Sequence, residues 1–304
     1  MIKFSNDREI SSVIISTALG FGGDGMFPYI FLPHYRRLLR IVRSKGITIS
    51  SKSSTINKLR GRFILFDPRT WKYIQRLPDM SMLNSYGLTN NGVDYNAQRI
   101  AVAHNAGFNV IPNFYPEFSK GLKFAIKETL IAIKVYRVKL GNSFWILELD
   151  VSCLNSNEKI NKNMRQVLAL IDVIKKECPW LKLIIKTSVI HPLSFYGDLE
   201  NAGVDVVHCF NTIPHDLIFP NQISPLVHVG GGGVSGGATF SFVYEKLQKV
   251  VGLTNLKLIL GCGVSNATRA RKLFALGEPE KTSIAICTAF LRDPKEAEKI
   301  LKLN

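Results

Sequence analysis

Short apolar runs rich in β-branched residues recur along the chain at 13–17, 46–50, 108–113, 144–150, 182–187, 204–209, 256–261 and 283–287. Between or after them lie segments whose apolar residues repeat at helical spacing, near 30–44, 93–106, 118–139, 160–176, 193–201, 239–251, 266–275 and 293–302. Most of the short runs are apolar throughout rather than alternating, which suits strands covered on both faces, and such strands are joined in parallel by helical crossovers. Eight βα units in strict alternation predict an α/β fold, a single (β/α)8 TIM barrel spanning 1–304, for which about 250 residues are typical.

Two intervals are longer than simple connections, 51–92 and 210–238, and long βα loops at a barrel's carboxyl face are where function is built. The first, containing RGRFILFDPRTWKYIQRL and NSYGLTNNG, is expected to form an antiparallel excursion over that face, with 84–87 above the barrel mouth. The second ends in the glycine run Gly230 to Gly237, expected to open a helix.

Composition narrows the class of protein. The 304 residues are 46% hydrophobic, enough for one large core, and no window approaches the roughly 18 uninterrupted apolar residues of a membrane span. Five cysteines (Cys153, Cys178, Cys209, Cys262, Cys287) form no CxxC pair and no metal-ligand cluster with histidine. A reduced, cytoplasmic protein without structural zinc is expected. The net charge of +16 raises nucleic acid as a partner. The basic residues fall on amphipathic helical stretches such as PHYRRLLRIVRSKG, however, and solvated helix faces are their usual home. No RNA- or DNA-binding motif and no aromatic interleaving accompanies them.

Chemistry is concentrated where apolar runs stop. The run through 145–149 ends in Asp150, Ser152, Cys153 and Asn155, the pattern of a buried strand delivering polar groups to a site. Cys153 is the candidate reactive atom, because a thiol with an ordinary pKa of about 8.5 needs only modest help from positive charge to act as a base near neutrality. Its bland alternative is a small buried hydrophobe. Lys52 and Lys186 end two further runs and point toward the same pocket, where an ammonium stabilises developing negative charge. Asn84, Asn155, Asn211 and Thr212 bring amides and a hydroxyl from separate loops, a set suited to a small polar planar ring. Gly230 to Gly237, Gly261-Cys262-Gly263 and Cys287-Thr288 converge on one phosphate-bearing ligand, since barrels often hold a phosphate at the loops after the last two strands.

In chain order, SKSST (51–55), NSYGLTNNG (84–92), ELDVSCLN (148–155), LIIKTS, FNT (210–212), GGGVSGGA, ILGCGV and AICTAF resemble motifs of the class 1 dihydroorotate dehydrogenase family. The resemblance covers nearly the whole chain and implies a TIM barrel carrying flavin mononucleotide (FMN) that oxidises dihydroorotate to orotate in pyrimidine biosynthesis. It implies that Cys153 is the general base, with Lys52 beside it, while the flavin accepts hydride. It implies substrate contacts at Lys52, Asn84, Tyr86, Gly87, Leu88, Asn155, Asn211 and Thr212. It implies flavin contacts at Ala18, Lys52, Ser53, Asp150, Lys186, Gly236, Cys262, Gly263, Cys287 and Thr288, Lys186 facing the N1 and O2 edge. No metal site is implied. A homodimer is expected, with fumarate as the second electron acceptor, although some family members pass electrons to NAD through an iron–sulfur partner subunit.

The chain also departs from the family. Asp150 stands where the family has asparagine, placing a carboxylate beside an anionic product. Leu154 replaces a proline, and Cys262, Cys287, Leu260 and Ala267 replace glycines. These departures motivate two alternatives: a flavin oxidoreductase acting on another cyclic amide or pyrimidine, and a non-catalytic basic barrel serving as an RNA or protein scaffold.

Overall fold

The computed structural model describes residues 1–4, 8–152 and 160–304, with 160–162 as backbone only. Two short strands, β1 (Ile2–Lys3) and β2 (Glu9–Ile10), form an antiparallel hairpin ahead of the barrel. There follow β3 (Val13–Ser16) and β4 (Thr48–Ser50), then β5 (Ile74–Leu77) and β6 (Ser81–Asn84) of the first long interval. The chain continues through β7 (Asn109–Ile111), β8 (Asn113–Phe114), β9 (Ile146–Asp150), β10 (Lys182–Lys186) and β11 (Val206–Cys209). The second long interval contributes β12 (Ile213–Pro214) and β13 (Gly233–Ser235), and β14 (Lys257–Leu260) and β15 (Thr282–Ile286) complete the set.

Nine of these strands form one parallel sheet in the order β7-β4-β3-β15-β14-β11-β10-β9-β8. Its two ends, β7 and β8, are halves of a single run interrupted at Pro112, so the sheet closes on itself and the eight-stranded TIM barrel is complete. Proline has no N–H for the ladder, which accounts for the break. Its carbonyl still accepts the Glu148 N–H at 3.0 Å, and the ring stays closed there.

Side chains alternate across a strand, so every second residue points into the barrel. At its base Ile14, Ile111, Ile146, Ile184, Val206, Ile259 and Ala285 pack together, separate from the larger core between sheet and helices. The hairpin supplies Ile2 and Ile10 to this inner cluster, sealing the amino-terminal end. No strand is expected before residue 13 from the sequence pattern; two-residue strands carry too little periodicity to register.

Both long intervals meet in one four-stranded antiparallel sheet, β12-β13-β6-β5. This corrects the expected role of the glycine run. Gly230, Gly231 and Gly232, with φ of 90°, 84° and 74°, make a turn, and Gly233 then enters β13 opposite Asn84 of β6. The following α-helix starts only at Phe240, after a 3-10 turn over Gly237–Thr239. Two helical expectations shift as well. The segment expected from 118 begins its α-helix at Leu122, because Gly121 at φ 95° separates it from a 3-10 turn. After β15 there are two helices, Thr288–Arg292 and Pro294–Leu301, the second capped by the Asp293 carboxylate on the Lys295 and Glu296 amides. Among the described residues no helix is long and apolar enough to cross a membrane.

The base cluster makes a quantitative expectation. Ile184 is 1% exposed, and truncation there leaves a cavity that barrel strands cannot close. Ile184→Ala is expected to destabilise the fold by roughly 2–5 kcal/mol, read as a lower urea midpoint at unchanged slope.

Candidate active site at the barrel mouth

Directly above the apolar base the barrel interior turns polar. Glu148, 1% exposed, accepts a hydrogen bond from Ser50 Oγ at 2.6 Å, lies 2.7 Å from His208 Nδ1, and also takes Asn113 Nδ2. Those partners come from β4, β11 and β8, so one carboxylate ties four strands together. Burial alone would raise its pKa. The charge and hydrogen bond of His208, the charge of Lys186 and the hydrogen bond of Ser50 outweigh burial and hold it down at about 2. One buried acceptor in this layer, Asn113 Oδ1, has no partner among the described residues. An N–H edge of a ligand, or a water, would satisfy it.

The next layer carries the expected site residues. Lys186, 3% exposed at the end of β10, donates to Ser16 Oγ at 3.2 Å. A buried ammonium with a neutral hydroxyl for its hydrogen-bond partner is a strong electrostatic feature, and Glu148 below supplies its countercharge. Asp150 ends β9, where its Oδ1 accepts from the Ser152 N–H and Oγ at 3.1 and 2.7 Å and its Oδ2 accepts from Ser53 Oγ at 2.9 Å. Three neutral donors hold this carboxylate as an acceptor. Lys52, just past β4, rests its Nζ 3.1 Å from the centroid of the Tyr86 ring, a cation–π contact worth about 0.5–2 kcal/mol. Tyr86 in turn packs on Phe63, ring centroids 5.0 Å apart.

The loop carrying Tyr86 is set by backbone geometry. Gly87 and Leu88 both have positive φ, 76° and 58°, and a Cβ at Gly61 would overlap the Gly87 carbonyl, so 61–63 and 86–88 pack backbone to backbone. Arg62 and Phe63 donate their N–H groups to the Tyr86 carbonyl at 3.0 and 3.2 Å. Beside this loop Asn84 Nδ2 donates to the Gly233 carbonyl at 3.3 Å, and a Cβ at Gly233 would overlap Thr212. The antiparallel excursion therefore brings Asn84 and Thr212 to one place. Asn211 follows them, its N–H donating to the Thr187 carbonyl at 3.0 Å.

A third cluster forms where β13, β14 and β15 end. Thr288 Oγ1 donates to Ser235 Oγ at 2.8 Å, Cys287 Sγ lies 3.5 Å from Thr17 Oγ1, and Cys262 Sγ lies 3.4 Å from Thr239 Oγ1. Ala18 is buried beside them, its N–H turned to the Ser16 carbonyl and its own carbonyl accepting from Tyr35 Oη at 3.0 Å. Gly236 and Gly263 have φ of 92° and 90°, and a Cβ at either would meet backbone, of Met80 and Ser81 in one case and Phe240 in the other. Thr17 adopts φ 62°, a strained value for a β-branched residue, and such outliers concentrate at functional sites.

Cys153, Leu154 and Asn155 lie outside the described residues. The remaining expected residues fall into the three clusters above, joined through Ser16 and Thr17 on one side and Ser235 and Gly236 on the other. The sequence reading passed over Glu148, His208, Ser16, Ser50, Asn113, Thr17 and Thr239. For Glu148 a signal existed, since it stands two residues before Asp150 and shares its inward face. His208 sits in an apolar run and becomes legible only when the ring places it opposite Glu148.

Whether the residues fit the cofactor the resemblance implies differs between its two ends. A flavin ring presents N–H groups and an edge that accumulates negative charge, matched here by Lys186, Ser53, Asp150 and the open Asn113 Oδ1. At the phosphate end a thiol stands where the family has glycine: Cys262 Sγ lies 3.4 Å from Thr239 Oγ1, and burial raises its pKa.

Fold and site together define an α/β barrel with charged and polar side chains gathered at the carboxyl ends of its strands. No family model matches the chain. The catalytic subunit of dihydroorotate dehydrogenase B (NAD(+)) from Anoxybacillus flavithermus is 25% identical over 225 residues, 72% of this chain and 68% of its own length. Its counterpart from Desulforamulus reducens is 24% identical over 248 residues, 78% and 76% of the two chains, and that from Caldicellulosiruptor bescii 26% over 224 residues, 70% and 68%. The chain is thus similar, at about a quarter identity, to dihydroorotate dehydrogenase catalytic subunits.

The central carboxylate gives a stability expectation with a sign. Because the folded pKa of Glu148 lies below its ordinary value of 4.5, its contribution is in place above that value and is withdrawn as pH falls through about 2. Glu148→Ala is expected to lower stability at pH 7 by roughly 3–5 kcal/mol, leaving His208 and Lys186 uncompensated, and to flatten the acid limb of stability against pH. An unaltered acid limb in the variant would show that Glu148 is not the titrating group.

Proposed function

We propose that the chain oxidises dihydroorotate, or a dihydropyrimidine close to it, in a flavin-dependent reaction at the barrel mouth. The observation that carries this reading is the gathering of Lys52 with Tyr86, Asp150 with Ser53 and Ser152, and Lys186 with Ser16 at the carboxyl ends of the barrel strands. The relatives named above support the same chemistry.

The chain's own groups divide the work by position. Lys52 supplies positive charge next to an aromatic face and binds an anionic or carbonyl-rich substrate. Asn84, Asn211 and Thr212 orient it with amides and a hydroxyl, and Tyr86, Gly87 and Leu88 close over it. Cys153, three residues past Asp150, is the base that removes the substrate's proton, and Asn155 is a further substrate ligand. Lys186 and Ser53, with Asp150, hold the flavin ring, which supplies a hydride acceptor when bound. Ala18 and Thr288 border its tail.

A second reading rests on Asp150. Its carboxylate is fixed by hydroxyl and amide donors rather than by a cation, so an orotate-type carboxylate brought near it meets like charge. A neutral dihydropyrimidine or other cyclic amide, whose N–H can donate to the Asp150 carboxylate and which brings no negative charge, suits that position better. For the second acceptor, the relatives' name couples a catalytic subunit to NAD(+), which favours a partner subunit over fumarate. A homodimer of the barrel remains part of the proposal, and sedimentation at micromolar concentration reads it directly.

The deciding experiment is the visible spectrum of the flavin-loaded protein, anaerobically, before and after dihydroorotate. Bleaching of the flavin band supports the first reading. Bleaching by dihydrouracil and not by dihydroorotate selects the second, and bleaching by neither removes both. Cys153→Ala is expected to slow bleaching about 10²–10⁴-fold while leaving the yellow colour intact, as loss of a general base does. Full-speed reduction in that variant would strip Cys153 of the role. Oxidation of the reduced protein by fumarate alone would make a partner subunit unnecessary.

A further inference from the structure

We propose that the barrel docks its mouth-side face onto an anionic lipid bilayer through an exposed aromatic ridge bordered by unpaired arginines and lysines, a property separate from the reaction above. Two loops at the carboxyl ends of the paired strands β3 and β4 build the ridge, 17–32 and the first part of 51–92. Phe27 meets Phe31 at 5.6 Å and Phe66 at 5.5 Å between ring centroids, which joins the two loops. Phe66 is nevertheless 79% exposed and Phe31 68%. Trp71, also exposed, donates its Nε1–H to the Leu65 carbonyl at 2.9 Å and so stands beside the same turn, while exposed Leu32 follows Phe31. Among the described residues these loops hold three of the four exposed phenylalanines. Exposed apolar side chains gathered together, rather than scattered singly, mark a surface that is covered in use.

Charge identifies what covers it. Residues 26–78 carry twelve of the chain's 39 lysines and arginines and only one, Asp67, of its 23 acidic residues. Asp67 is taken by Arg69 at 2.9 Å, and the acidic residues that flank the stretch, Asp24 and Asp79, are paired with Arg99 and Arg269. Arg36, Arg40, Lys58, Arg60, Lys72 and Arg76 are exposed, and among the described residues none of them has a carboxylate within ion-pair distance. Arg36 stands one helical turn beyond Leu32, its N–H on the Leu32 carbonyl at 3.0 Å, and Lys72 follows Trp71 in the chain. Cations thus border the apolar ridge on both loops. An anionic bilayer matches both halves of this surface: phenylalanine and tryptophan rings enter the interfacial layer while lysines and arginines meet headgroups, two signals that together hold where either alone is weak. The cations fall on a helix, an irregular loop and a 3-10 turn without regular spacing, which a fluid layer of headgroups accommodates. Single-stranded nucleic acid matches less well, because Phe27 and Phe31 pack edge to face at 89° instead of offering parallel stacking faces.

The test is cosedimentation of the full-length protein with vesicles of phosphatidylcholine alone or of phosphatidylcholine with about 30% phosphatidylglycerol, at about 0.1 M salt. Wild type is expected to partition onto the anionic vesicles about tenfold or more strongly than onto the neutral ones, and to lose that preference at about 0.5 M salt. The pair Phe31→Ser and Phe66→Ser, which leaves net charge unchanged, is expected to weaken anionic binding about tenfold or more, as is the pair Arg36→Glu and Lys72→Glu. Lys134→Glu with Lys139→Glu, the same change of net charge at the far end of the helix Leu122–Leu140, is expected to bind as wild type. Equal loss in that control pair, full binding by the phenylalanine pair, or no preference for anionic vesicles overturns the proposal. So does binding of oligouridylate, lost in the first two pairs, by a protein that ignores vesicles. Should a variant fail to fold, quenching of wild-type Trp71 by lipids with brominated acyl chains, absent in Trp71→Phe, decides; an unquenched Trp71 overturns it. None of these measurements involves flavin or substrate, so failure here leaves the proposed reaction standing.

Discussion

The structure is organised around a carboxylate at the centre of the barrel. Glu148 is buried among Ser50, Asn113 and His208, with Lys186 close enough to lower its pKa. A charge in so dry a place is tolerable only because every partner is held at the correct distance, and that requirement links the register of four strands. The residues of the mouth are the next inward or terminal positions on β4, on β9 and on β10, which lies between β9 and β11. Lys52, Asp150 and Lys186 are therefore placed by the same register that satisfies Glu148.

The mouth itself is assembled by the chain's two longest connections. Each is too irregular to be stable alone, yet together they complete a four-stranded sheet over one side of the opening. The backbone approach of Gly61 to Gly87, and of Gly233 to Thr212, fixes that sheet at points where no Cβ can be accommodated. The consequence is chemical as much as mechanical. Tyr86 comes down on Lys52, while Asn84 and Thr212 meet across the Gly233 backbone, giving substrate-sized polar surface on a rigid support.

At the opposite side the same architecture has been altered. The loops after β13 and β14 carry the positive-φ glycines Gly236 and Gly263, and the thiols of Cys262 and Cys287 stand in the loops after β14 and β15. Ring-holding and tail-holding features lie on different loops of the barrel, which allows one to change while the other persists.

Much of this was legible in the chain. Apolar runs at eight places, separated by helical periods, specify the parallel barrel because each is a local pattern with a local cause. Lys52, Asp150 and Lys186 could be picked out because an apolar run that stops at a charge is visible without knowing the fold. The hairpin at 2–10, the merger of the two long intervals and the turn made by Gly230 to Gly232 were not legible, since strands of two to four residues acquire their identity from partners far away in sequence. Glu148 and His208 illustrate the limit most clearly. Sixty residues apart, each looks like an isolated polar interruption of a buried strand, and only closure of the ring brings them within 2.7 Å. The sequence determined which elements form and which residues end them; the tertiary structure decided which charges meet and which hydroxyl lies beside the Cys262 sulfur, because those depend on distances between strands that no local pattern encodes.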